Sequence, residues 1–378
     1  MQQQGTFLRK HAPGDSVRGM TSGGVQQLQE YLLPLLRSLE GLGYISRHLD
    51  PVGYSHILAR AGQSHADLRA AKANLTAWEA PYSALRPQLD LAADETLAAY
   101  DGLLAAAEPP EDITRAFRAL RHAPRAWEAL YPLAGIVPPI SRFFLDPAMR
   151  DDMDLQVRLL RQPPEDNTGV IRIGDDPDAR DTVWVYVPES YDPDKPAPVV
   201  VALHGGSGRG RAFLWSWVRA ARSRGVIVVA PTSLGQTWAI QGTDPDSPRL
   251  AAALDFVRET WAVDDRRVLL SGMSDGGTFS YTSGLVAESP FTHLAPVAAA
   301  FHPMLVGMAD ADRLNGLPLH IIHGARDWMF PVQMAEEAQR HFTAVGAAVT
   351  YRRIDDLSHA YGGELSSMIL DWLVDNPR

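Results

Sequence analysis

Two hydrophobic rhythms divide the chain. From about residue 24 to 163, apolar residues recur three and four apart, the spacing of one helical face. Leu28, Tyr31, Leu32, Leu35, Leu36 and Leu39 form one stripe, and Leu68, Ala71, Leu75 and Trp78 a second. Leu97, Tyr100, Leu103 and Leu104 form a third, and Phe117, Leu120, Trp127, Leu130 and Tyr131 a fourth, broken near Pro124. Pro34, Pro81, Pro87, Pro109 and Pro110 are expected to mark breaks or kinks. No fixed-period repeat appears. Such stripes are ordinary core.

The run Arg161-Gln-Pro-Pro-Glu-Asp-Asn-Thr-Gly169 reads as a linker, after which the rhythm changes. Gly169–Gly174 and Thr182–Pro188 read as strands. Val199–Leu203, Val226–Ala230, Val268–Leu270, Leu294–Ala300 and Leu317–Ile322 are continuous apolar runs, as buried parallel strands require, and Thr350–Ile354 closes the series. Helical stretches lie between them. Alternating strand and helix predicts a mostly parallel sheet with helices on both faces. The expected organisation is an all-α domain over 1–165 and an α/β domain over 166–378.

Composition narrows the function. With 46% hydrophobic and 21% charged residues the chain is ordinarily globular. Its net charge is −10, and acidic residues outnumber basic ones on both sides of residue 166. That disfavours a nucleic-acid partner and an anionic membrane surface. There is no Cys, so disulfides, thiolate metal sites and a cysteine nucleophile are excluded together. No 18-residue apolar run suggests a membrane span. The first ten residues lack the apolar core of a signal peptide, so the expected location is cytoplasmic.

Four short motifs carry candidate chemistry. Gly272-Met-Ser274-Asp-Gly276-Gly277 follows a strand and opens a helix, the context in which G-x-S-x-G presents a nucleophile on a sharp turn. The helix N-terminus then points its free N–H groups at a reacting carbonyl. His204-Gly205-Gly206-Ser207-Gly208 follows the buried strand ending at Leu203. Its glycines let backbone N–H groups approach a developing oxyanion, with Gly206 and Asp275 as expected donors and Gly205 as the rival to Gly206. The Lys of a phosphate-binding loop is absent. Asp327, in His323-Gly-Ala-Arg-Asp327, and His359, in Asp356-Leu-Ser-His359, each follow a strand and supply an acid and a base. Asp355, Asp356, Asp310 and Asp312 compete with Asp327 less well, being on the base's own loop or an earlier connection. His204 and His323 read as structural. His11, His48, His56, His65 and His122 show no metal-ligand spacing.

The order Ser274, Asp327, His359 on successive strand exits resembles the α/β-hydrolase superfamily. Val185-Tyr-Val-Pro188, Tyr191-Asp-Pro193, Pro198–Gly205 and the Pro231–Trp238 loop resemble the branch of feruloyl esterases, polyhydroxyalkanoate-depolymerase-like proteins and carboxylesterases. The resemblance covers about 168–378 and implies a serine carboxylic-ester hydrolase. It implies a Ser274-His359-Asp327 triad, an acyl-enzyme, a small-molecule ester substrate and no metal or organic cofactor. Trp238, Trp328 and His302 are candidates for lining the pocket, with packing the alternative for both tryptophans. Asp275 departs from the branch, where a small or uncharged residue is common, and the helical half is outside it. A prolyl-oligopeptidase-type serine peptidase is an alternative, although such enzymes carry a β-propeller ahead of the hydrolase domain. A catalytically silent hydrolase-fold binding protein is another. The helical half is expected either to roof the pocket or to dock elsewhere and support the fold or a homo-oligomer.

Overall fold

The apolar stripes of the first half become helices in a computed structural model that describes residues 22–74, 78, 80–161 and 167–378. Two compact units part between Arg150 and Asp151. Leu75 of the second stripe and most of the expected linker fall outside the described residues.

The helical unit is built on two long helices, Ser22–His48 and Arg86–Ala106, with shorter ones at 54–61, 64–73, 113–120, 122–130 and 138–143. Leu28, Tyr31, Leu32, Leu35 and Leu39 are buried in a row. Pro34 does not break the first helix, which continues through it. The stripe is buried on both sides of Pro34, and that packing outweighs one lost backbone hydrogen bond. Pro87 starts its helix instead of ending one, because the first turn has no use for that N–H. Buried tyrosines tie helices together: Tyr100 donates to Ser38 O at 3.0 Å and Tyr54 to Leu103 O at 2.7 Å.

The second unit is an eight-stranded sheet. Its strands are β1 (Gly169–Ile173), β2 (Val183–Val187), β3 (Ala197–Leu203), β4 (Ile227–Pro231), β5 (Val263–Met273), β6 (His293–Val297), β7 (Pro318–Gly324) and β8 (Ala348–Ile354). The order is β1-β2-β4-β3-β5-β6-β7-β8. β2 runs antiparallel to both β1 and β4, and all other neighbours are parallel. This is the arrangement of the α/β-hydrolase fold. The central strands are fully buried: Val199, Val200, Val201, Ala202 and Leu203 have 0% exposure, so helices must cover both faces. Residues 199, 201 and 203 share one core with helices 247–260, 275–284 and 333–344. Helices 215–224 and 365–375 pack on each other away from that core. β5 is longer than its apolar run: Val263 pairs with Ala197, and the polar stretch Asp264, Asp265, Arg266 and Arg267 lies at a register shift before Val268 pairs with Val199. No described helix is long and apolar enough to cross a membrane.

Candidate active site

The strand order creates the site. From β3 the chain crosses to β4 on one side and then returns to β5 on the other. Loops leaving β3 and β5 therefore part at their C-terminal ends and open a crevice there. Leu203 pairs with Gly272 in register, so the His204–Gly208 loop and Ser274 leave the sheet side by side.

Ser274 occupies the turn between β5 and helix 275–284 with φ 57° and ψ −118°. A non-glycine residue there costs about 1–3 kcal/mol, which the surroundings must hold. They do so by close approach. A Cβ on Gly276 would lie 2.5 Å from the carbonyl oxygens of both His204 and Leu203, and one on Gly272 2.4 Å from Gly276 C. The Ser274 N–H donates to Val297 O at 2.9 Å, anchoring the turn to β6.

His359 follows β8, with its ring between Ser274 and Asp327. Nε2 lies 3.0 Å from Ser274 Oγ, and Nδ1 lies 2.8 Å from Asp327 Oδ2 and 3.0 Å from Oδ1. An ionised carboxylate only accepts, so Nδ1 carries the proton and Nε2 accepts from the Ser274 hydroxyl in the neutral ring. Ser274 is 7% and His359 4% exposed.

The Asp327 side chain is fully buried. Oδ1 also accepts from the N–H groups of Met329, at 2.9 Å, and Phe330, at 2.8 Å. Oδ2 has a second imidazole beside it, His323 Nε2 at 3.2 Å. Burial alone would push this carboxyl up. The hydrogen bonds from His323, His359 and the Phe330 N–H outweigh it and hold the group well below the usual carboxylate range. The competing acids lie elsewhere. Asp355 is exposed and pairs with Arg353 at 3.2 Å, Asp356 is exposed, and Asp310 accepts from the Arg313 N–H.

The His204–Gly208 loop is closed by Gly208 N–H to Gly205 O at 3.0 Å and Ser207 N–H to Gln236 O at 2.8 Å. His204 is locked inside it, because Nδ1 donates to Gly205 O at 2.7 Å and Nε2 accepts from the Ser233 N–H at 3.1 Å. Burial pushes this imidazole down to about 4, so it is a neutral brace. Among the described residues, no acceptor takes the N–H of Gly206 or of Asp275. The Asp275 carboxylate stands close by: Oδ2 accepts from Thr237 Oγ1 at 2.5 Å and lies 2.6 Å from where a Gly206 Cβ would sit. Gly205 lies over the same turn, its Cβ position 3.5 Å from the Ser274 Cβ.

The expected pocket residues divide. Trp238 does not line an open pocket. It is 2% exposed, stacks on Phe279 at 5.5 Å and donates its indole N–H to His204 O at 2.7 Å. A buried indole needs such an acceptor, and here the bond braces the glycine loop. Trp328 is 37% exposed, with its ring 6.5 Å from that of His359. His302 is exposed, and its Nδ1 accepts from the Met304 N–H; no hydrogen bond or ring contact joins it to Ser274, Asp327 or His359. Phe330, not singled out from sequence, stands edge-on to His359 at 5.2 Å and 90°. Among the described residues, no group of three or more His, Cys, Asp or Glu is placed to hold a metal ion.

No family model matches the chain. A curated bifunctional acetylxylan esterase/xylanase of Neocallimastix patriciarum is 30% identical over 160 residues, 41% of this chain and 22% of that protein. The chain thus spans about a fifth of the length of the curated relative it matches. Among solved structures, a ferulic acid esterase is 16% identical with a TM-score of 0.46, over 56% of this chain and 100% of that one. A thermostable esterase is 20% identical with a TM-score of 0.43, over 55% of this chain and 63% of that one.

Proposed function

We propose that the chain is a serine hydrolase that cleaves carboxylic esters through an acyl-enzyme. One observation carries this reading. Ser274 Oγ, His359 and the buried Asp327 carboxylate form one hydrogen-bonded row on three strand exits, with Nε2 3.0 Å from the hydroxyl. In this reading Ser274 Oγ attacks the acyl carbon while its proton passes to His359 Nε2. The carbonyl electrons move onto oxygen, and the oxyanion takes the unused N–H groups of Gly206 and Asp275. Asp327 keeps the imidazole in the tautomer that can accept and stabilises the imidazolium. The C–O bond then breaks, and His359 returns the proton to the leaving alcohol. Water, deprotonated by the same imidazole, frees the acid and restores Ser274.

A carboxylic ester is favoured over an amide because its alkoxide leaves with less assistance than an amine. The acetylxylan esterase likeness makes an acetyl ester the first substrate to try. The test is a panel of chromogenic esters of rising acyl length beside the matching anilides. Turnover of esters and not anilides, lost in Ser274→Ala, is expected. Preferred anilide turnover overturns the esterase reading in favour of a peptidase, and no turnover of either overturns both.

A further inference from the structure

We propose that His323 is a positioning residue for the acid–base pair, holding the Asp327 carboxylate and taking up part of its charge. The inference rests on the serine-hydrolase reading above.

His323 lies near the end of β7 with its side chain 1% exposed. Its Nε2 is 2.9 Å from Phe330 O and 3.2 Å from Asp327 Oδ2. Both atoms only accept, so Nε2 carries the proton. The loop between these partners is itself a closed turn, since Asp327 Oδ1 takes the N–H groups of Met329 and Phe330. One imidazole N–H therefore grips both the acid and the carbonyl three residues on. A histidine that merely filled space would be satisfied by the carbonyl alone. Here its donor also faces the oxygen that accepts from His359 Nδ1 at 2.8 Å.

The electrostatic consequence has a sign. Every donor on Oδ2 offsets carboxylate charge and so weakens its hold on the His359 imidazolium. Removing the His323 donor strengthens that hold, and the protonated base cannot accept from Ser274. The groups facing His359 are Ser274, Asp327, Trp328 and Phe330. Those facing Asp327 are His359, His323 and the two backbone N–H groups. Among the described residues, His323 is thus the titratable group, beyond the pair itself, in contact with the acid.

The test is the pH profile of kcat/KM on an acetyl ester for the full chain and three variants. His323→Leu deletes the donor. His323→Asn deletes it with a polar side chain too short to reach Oδ2. His323→Gln returns an amide N–H near the Nε2 position. We expect the acid limb to move up by at least about half a pH unit in the Leu and Asn variants and to return in Gln. A folded Leu or Asn variant whose limb stays at the wild-type position overturns the proposal, as does a Gln variant whose limb stays displaced. Wild-type turnover that Ser274→Ala abolishes keeps the two readings apart; without it, the hydrolase reading itself fails.

Discussion

Replacing Asp327 by Asn changes little volume and inverts one side of a fully buried group. Oδ1 accepts from Met329 N–H, Phe330 N–H and His359 Nδ1, and Oδ2 faces His359 Nδ1 and His323 Nε2. The amide oxygen must take the Oδ1 side, because an NH2 there would strand two buried backbone donors. The NH2 then faces His359 and His323. His359 escapes the donor–donor clash by moving its proton to Nε2, the nitrogen that must accept from Ser274. The wrong tautomer is expected to lower kcat by about four orders of magnitude, a barrier increase of ~5.5 kcal/mol. His323 still has Phe330 O and one amide N–H gains His359 Nδ1, so the stability cost is that of the other buried amide N–H without an acceptor, about 1–3 kcal/mol. Stopped assays on an acetyl ester give the first number and thermal melts at pH 7 the second. A variant that keeps more than a tenth of wild-type kcat refutes the reasoning, and so does Asp356→Asn proving the more damaging substitution.

Two further outcomes are expected. Gly276→Ala places a methyl 2.5 Å from two backbone carbonyl oxygens, so β3 and the Ser274 turn must separate; a loss of at least about 2 kcal/mol in denaturant titration is expected, and an unchanged midpoint contradicts the packing described. Burial, aided by Arg352, pushes His320 down to about 4, with Nδ1 unpartnered beside Trp372. The unfolded chain binds a proton there between about pH 6.5 and 4 that the folded chain refuses, so stability falls as pH falls through that window. His320→Phe should shrink the loss between pH 7 and pH 5 by ~2 kcal/mol, and an unchanged loss sinks the assignment.

The sheet was legible because parallel strands buried on both faces must be continuous apolar runs, as Val199–Leu203 is, and because glycine turns end them. The candidate site was legible for the same reason. Ser274, Asp327 and His359 each sit just past a strand end, and the crossover at β3 gathers such ends. What escaped the sequence depends on tertiary neighbours. His323 reads as a buried strand-end histidine, and the signal, its i, i+4 spacing to Asp327, gains meaning only once the loop turns back on itself. Trp238 reads as a pocket residue because an aromatic on a loop after β4 is near the crevice. Its burial follows from the His204 carbonyl that accepts its N–H, which no periodicity reveals. Pro34 reads as a breaker because local propensity favours that, whereas the buried stripe on both sides overrides it.

The esterase reading stands on Ser274 as the nucleophile. Treating the native chain with a fluorophosphonate and mapping the adduct by peptide mass spectrometry tests it directly. One phosphonylated residue, Ser274, is expected, with ester turnover lost in step with labelling, and neither label nor turnover in a folded Ser274→Ala variant. An adduct on a different residue, or more than a few per cent of wild-type turnover in that variant, contradicts it.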